Sequence, residues 1–200
     1  MNASSLPDLS PLQRRKRSAI LDGARTVFLR QGFGLATMDD VASVAGVGKQ
    51  TVYRHFKSKE ALFIGLVISM CAEVGALASA QAEQTGGSPE VELRELGWLL
   101  AQNLIAPDSL RLYRTIVAEA ERLPELGHVF YENGPKLARA FAANILRKRF
   151  DEPTATLRAA TFVQLVLGDA HLELTLGYTV PNVEARFGQQ IGEAVAAALR

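Results

Sequence analysis

Cysteine is almost missing from this chain: Cys71 is the only one in 200 residues. No internal disulfide can close a loop, and stability has to come from an apolar core, which 48% hydrophobic residues can supply. Histidine is nearly as scarce, at 55, 128 and 171, and three scattered imidazoles with one thiol make no metal-binding pattern. No metal and no cofactor is expected. Long hydrophobic runs are absent but for one, "ALFIGLVISMCAEVGALASA", residues 61–80, about the length of a membrane span. Glu73 inside that run would cost about 2.5–3.5 kcal/mol in hydrocarbon, and Gly, Ser and Ala dilute it. The run therefore reads as a buried helix of a soluble protein, with no membrane partner. The apolar stretch after the N-terminal basic patch is broken by Asp22 and Arg25, so no signal peptide is expected. With a single thiol, that places the protein in a reducing cytoplasm.

Net charge is also nearly absent, at +1, until the chain is divided. Up to Gly65 ten Lys and Arg stand against five Asp and Glu, a net +5; beyond it twelve stand against sixteen, a net −4. One end of the chain has the composition of a surface that meets a polyanion.

What is present is helical patterning. Ile20, Leu21, Ala24, Val27 and Phe28 share one helical face that stops at Gly32. Thr37 is placed to cap a second helix, with Asp40 at the third helical position in a capping-box arrangement and Asp39 beside it at the positive end of the dipole. That helix runs to about Ala45. Gly46 supplies a residue able to turn left-handed, and a second short helix spans about Gly48 to His55. Two short helices joined by a glycine-bearing turn outline a helix-turn-helix. Val41, Val44, Val47, Val52 and Phe56 are spaced to pack it, which leaves Lys49, Gln50, Thr51, Tyr53, Arg54 and His55 outward. All six donate hydrogen bonds and suit phosphate oxygens and base edges. Ser58 then caps a long fourth helix.

The segment "ATMDDVASVAGVGKQTVYRHFKSKEALF", Ala36 to Phe63, resembles the DNA-binding signature of the TetR/AcrR family of transcriptional repressors. The shared features are a Thr before the second helix, an A-G-V turn, a Tyr-x-His-Phe block and a Lys-Glu-x-Leu helix start. The resemblance implies that Thr37 contacts phosphate, that Gln50 and Thr51 face bases, and that Tyr53, His55 and Lys59 hold the DNA backbone. Gly48 stands where the family commonly has Ser, leaving its backbone N–H as the available donor. The run Arg14-Arg15-Lys16-Arg17 opposes the dipole of the helix it begins and is a candidate for further contact with DNA. The resemblance further implies an all-α fold, with a three-helix DNA-binding domain and a larger helical domain that dimerises and binds a ligand. The domains are expected as a flexible arm over 1–13, the helix-turn-helix over 14–60, and the effector-binding and dimerisation domain over 61–200.

The second half lacks catalytic signatures. Turn-rich segments at "QTGGSPE", "APDS", "LPELGH", "ENGP", "DEPT" and "GYTVPN" divide residues 89–200 into about five helices, with Ser88 as a cap and Pro89 at its first position. On the last helix Gly188, Gly192 and Ala196 form a small-residue stripe beside a ridge of Phe187, Ile191, Val195 and Leu199, and this face is the candidate homodimer interface. Trp98, Tyr113, Phe130, Phe141 and Phe162, on successive helices, are candidates to line a cavity. Glu119, Glu121, Glu132, Asp169 and His171 leave the ligand's charge open. These readings converge on a homodimeric repressor that occupies a palindromic operator in double-stranded DNA and is released by a small-molecule effector. The alternative is a helical ligand carrier or enzyme with an incidental helix-turn-helix. It would need a reactive constellation, and Cys71 on an apolar helix lacks the electropositive surroundings a thiolate requires.

Overall fold

The computed structural model describes residues 10–84 and 87–200, and among them every regular element is an α-helix. In chain order these are α1 (Pro11–Leu35), α2 (Met38–Val44), α3 (Lys49–His55), α4 (Lys59–Gln84), α5 (Pro89–Ile105), α6 (Pro107–Glu119), α7 (Pro124–Asn133), α8 (Pro135–Leu146), α9 (Glu152–Thr175) and α10 (Val183–Leu199). The expected all-α architecture is observed, with a three-helix N-terminal unit and a larger helical C-terminal one. The two compact units are Met1–Ser69 and Met70–Arg200.

The first unit extends past residue 60 because α4 continues its packing: Phe63 meets Phe28 at 4.9 Å and Phe33 at 5.2 Å between ring centroids. Of the expected arm, residues 1–9 lie outside the described residues. The helix opens at Pro11, three residues before position 14, because Ser10 and Gln13 form a reciprocal capping box and Pro11 fits the first helical position.

Along α1 the buried side chains Ile20, Ala24, Val27 and Phe28 keep the expected spacing. Regular helix breaks at Gly32, whose φ of 76° L side chains rarely adopt. α1 and α2 approach closely at Gly23, where a Cβ would sit 3.0 Å from the backbone nitrogen of Ala45. The Thr37 capping box is present in both directions, and Gly46 turns with φ of 64° between α2 and α3. Val44 departs from expectation: it is 50% exposed. Met38, Val41 and Ala42 bury α2, and the position that continues their face is Ala45, seven residues after Met38, not Val44. The long apolar run in α4 has a most hydrophobic window of mean hydropathy 2.1, long and apolar enough by composition to cross a membrane. Only 33% of that window is buried, less than a core helix was expected to be.

In the second unit α9 is the common partner, packing on α5, α6, α8 and α10. Six helices occupy 89–200 rather than five, since Pro124 and Pro135 each restart a helix at its first turn. The "QTGGSPE" loop includes residues 85 and 86, which lie outside the described residues. The core gathers Leu93, Leu96, Phe162, Val166, Phe187 and Ile191. α5 crosses this core at Gly97, where a Cβ would lie 2.9 Å from Ile191 and 3.5 Å from Phe162. Glu92, only 8% exposed, receives both of its charge-assisted hydrogen bonds from Lys148, at 2.6 and 2.7 Å.

α9 is kinked at Gly168, with φ of 45° and ψ of −167°. That conformation is essentially restricted to glycine, and a Cβ there would run into the side-chain amide of Gln190 on α10. Gly168→Ala should therefore destabilise the second unit by about 1–3 kcal/mol. Urea unfolding measures this, and an unchanged midpoint would show that the kink is not required.

Candidate functional site

α3 presents the expected donor face. Lys49, Gln50, Tyr53 and Arg54 are exposed, while Thr51 and His55 are half-buried over the fully buried Val52. Gly48 is the N-cap and makes no side-chain cap bond. Lys49 Nζ donates to Asp39 at 2.8 Å across the turn and lies 6.0 Å from the Tyr53 ring centroid, and the Asp39 bond holds its pKa above the ordinary lysine value. Both partners are exposed and solvent screens the pair, so it orients the lysine without withholding it from a phosphate. His55 is pushed the other way: burial first, then Arg17, Arg54 and Lys16, lower its pKa. It is therefore placed to donate a ring N–H as a neutral imidazole.

Two expected DNA contacts have other work in this unit. The hydroxyl of Thr37 donates to Asp40 Oδ2 at 2.7 Å and accepts from the Asp40 backbone N–H at 3.1 Å, so a phosphate would compete with the helix cap. Lys59 is a clamp. Its Nζ donates to the backbone carbonyls of Phe33 at 2.8 Å, Ala36 at 3.1 Å and Gly34 at 3.2 Å, and stands 4.6 Å from the Phe33 ring centroid. An ammonium has three protons and all three are engaged. The carbonyls are those released where α1 breaks at Gly32 and leads into α2. The family resemblance implied a DNA-backbone contact for Lys59; only the fold shows which carbonyls lie above it. Of the basic run at 14–17, Arg17 lies 4.4 Å from the centroid of Phe56, tying α1 to the end of α3.

The second unit holds a cavity of about 530 Å³. Of the five aromatic candidates Tyr113, Phe130 and Phe141 line it, while Trp98 and Phe162 do not. Phe162 is fully buried in the core, and Trp98 lies over α10, 3.3 Å from where a Cβ on Gly188 would be. Tyr113 meets Phe130 at 5.8 Å and the edge of His171 at 5.2 Å. None of Glu119, Glu121, Glu132 and Asp169 is in the wall. His171 is, at 8% exposure, and burial lowers its pKa so that the imidazole is neutral. Arg139 also lines the cavity and was not among the sequence candidates; no local pattern on α8 marked it as facing inward. Cys71 is in the wall too, its thiol pushed up to about 11 by burial, which leaves it protonated and unreactive at neutral pH.

The proposed ridge on α10 is corrected in the same way. Phe187, Ile191 and Val195 are at most 2% exposed inside their own chain. The helix is amphipathic toward this unit's core, and the apolar period that suggested a partner is satisfied by α5 and α9. Gly188 is covered by Trp98, whereas a Cβ on Gly192 would meet nothing within 4 Å and Ala196 is exposed.

A helix-turn-helix with a basic, donor-rich second helix, followed by a helical unit with an apolar cavity, defines a DNA-binding regulator. The comparisons with known proteins agree. The model for bacterial regulatory proteins of the tetR family matches residues 20–66, and that for the C-terminal domain of AefR-like transcriptional repressors matches 91–200. The chain belongs to the TetR family of transcriptional regulators. It is 27% identical over 171 residues to an HTH-type transcriptional repressor of Mycobacterium tuberculosis, covering 81% of this chain and 83% of that one. A TetR-family regulator from Mesorhizobium loti superposes with a TM-score of 0.85 at 26% identity, covering 95% and 98% of the two chains. The flavonoid-responsive regulator FrrA does so with a TM-score of 0.70 at 29% identity, covering 93% and 96%.

The clamp assigned to Lys59 has a measurable signature. Lys59→Met should leave three carbonyls unpaired and lower stability by about 1–3 kcal/mol, with Lys59→Arg recovering part of it. The salt dependence of DNA binding, corrected for folded protein, should keep its slope. A slope reduced by about one unit in Lys59→Met would instead make Lys59 a phosphate contact.

Proposed function

We propose that this protein is a cytoplasmic transcriptional repressor that binds a palindromic operator as a homodimer and is released by a small molecule bound in the second unit. The observation that carries the reading is the exposed face of α3, whose donors stand on a capped, glycine-turned helix pair. Gln50 and Thr51 read bases, while Lys49, Tyr53, Arg54, His55 and the Gly48 N–H hold the backbone; Thr37 contributes by shaping the start of α2. A single unit of this size meets few phosphates, and two related by a two-fold axis reach successive major grooves about 34–36 Å apart. The homologous repressor of Mycobacterium tuberculosis supports the sign of regulation, and the flavonoid-responsive relative supports control by a small molecule. A carrier or enzyme gains no support from the protonated Cys71.

For the dimer, the outward faces of α9 and α10 are the surfaces left over once the core is accounted for. Leu157 is 70% exposed and Leu172 56%, and Gly192 and Ala196 offer a flat, small-residue approach. Release follows from α4, whose Met70, Cys71, Val74 and Ala78 line the cavity and whose first turns carry Lys59 and Phe63. An effector that displaces this helix alters the fit of two recognition helices to consecutive grooves. A hundredfold loss of operator affinity requires about 2.7 kcal/mol of coupling, within the usual allosteric range.

Two measurements test this. Across a randomised operator library Gln50→Ala should relax preference at particular base pairs by about 1–3 kcal/mol, while Tyr53→Phe weakens all duplexes alike. Identical preference profiles for Gln50→Ala and the parent would remove Gln50 from base readout. Gly192→Glu, whose side chain meets nothing inside its own chain, should fold normally yet sediment as a monomer and lose operator binding. A dimeric Gly192→Glu protein would move the interface elsewhere.

A further inference from the structure

We propose that the cavity in the second unit is built for an aromatic compound bearing an acidic oxygen, a phenol or an aromatic carboxylate, with that oxygen bound by Arg139 and a second hydrogen bond made by His171. This rests on reading the cavity as the effector site and specifies the ligand's chemistry.

Size comes first. An apolar cavity of about 150 Å³ holds one benzene, so 530 Å³ has room for more than one ring. The wall is largely aliphatic, with Leu104, Ile116, Val166 and Leu167, and one side is aromatic, with Phe130 and Tyr113 in contact. A flat apolar body is matched by offset or edge contacts with those rings.

Charge is decided by which ionisable groups reach the wall. Among the described residues it contains no Asp, Glu or Lys, and its one permanent charge is the Arg139 guanidinium. Nη1 of Arg139 donates to the Tyr131 hydroxyl at 2.7 Å, and its Nε is buried without an acceptor. Among the described residues no carboxylate pairs with it. A guanidinium offers five N–H donors, and leaving one buried and unsatisfied is costly. Beyond the Nη1 bond to Tyr131, the Nη donors are the ones left to meet an anionic or strongly accepting oxygen, whereas a cationic ligand is repelled.

The second polar anchor is His171, just past the Gly168 kink. It is 8% exposed, lies in the wall and makes no hydrogen bond within the described residues. Its ring is held by the edge contact with Tyr113. A neutral imidazole provides one donor and one acceptor, so it pairs with a phenolic hydroxyl or with a carboxylate oxygen equally well. An unpartnered polar side chain this deeply buried in a cavity wall is explained by a ligand that completes it.

The test is a matched series titrated calorimetrically into the full-length protein without DNA: naphthalene, naphthol, naphthoate and naphthylmethylammonium. Naphthoate and naphthol should bind at least about tenfold more tightly than naphthylmethylammonium. Arg139→Gln should weaken naphthoate by about tenfold or more while changing naphthalene little, with Arg139→Lys restoring part of the loss. His171→Phe should weaken naphthol and naphthoate alike while changing naphthalene little. Should Arg139→Gln fail to fold, Tyr131→Phe, at an exposed position, removes the bond that orients the guanidinium and should also weaken naphthoate. Binding of the ammonium compound as tight as that of naphthoate, naphthoate binding indifferent to both Arg139→Gln and Tyr131→Phe, or no binding by any of the four would overturn the assignment. Naphthoate that binds through Arg139 but leaves operator affinity untouched would overturn the effector reading and leave the ligand chemistry standing.

Discussion

An ammonium group with all three of its protons on main-chain carbonyls holds the N-terminal unit together. Lys59 sits at the first turn of α4, and its acceptors, Phe33, Gly34 and Ala36, belong to the segment where α1 ends and the chain turns toward α2. That segment has carbonyls which no helix satisfies, because Gly32 has left the helical conformation. Without a donor they would need water, at a place where Phe28, Phe33 and Phe63 pack ring against ring. The lysine thus fixes the entry to the helix-turn-helix from one side while the Thr37–Asp40 box fixes it from the other. The orientation of α3 follows from these two anchors and from the buried Val52.

Much of this unit was legible in the sequence, for identifiable reasons. Caps, glycines and helical spacing are local, and each of Thr37, Gly46 and Val52 acts through neighbours a few residues away. What sequence could not show was long-range. Lys59 meets carbonyls more than twenty positions earlier, as its hydrogen bond to Phe33 across 26 residues illustrates, and no local pattern announces an acceptor at that distance. Val44 was misread for a smaller reason: on a seven-residue helix one position decides which side chain continues the buried face.

The C-terminal unit was less legible because its signals were ambiguous in kind. An apolar ridge on α10 describes a helix that buries one face, without saying against what, and the answer was its own chain. Aromatic residues on successive helices were divided in the same way. Tyr113, Phe130 and Phe141 reached the cavity, while Phe162 went to the core and Trp98 to the cover over Gly188. Arg139 and His171, the polar members of the wall, sit on α8 and α9, and a charge or an imidazole on a helix surface carries no mark of which way it faces.

The kink at Gly168 has one more effect. A straight α9 would present a single continuous stripe to the interior; the break lets Val163 and Val166 on one side and His171 on the other enter the same cavity from segments with different axes. Core and cavity are consequently served by interleaved positions of one helix: Phe162 and Ala159 pack the core, Val166 belongs to both core and wall, and His171 gives the wall polarity. A protein arranged this way can exchange the polar members of its cavity, a histidine or an arginine at a time, while the residues that keep it folded stay fixed. Chemical preference is then an editable property of a stable scaffold.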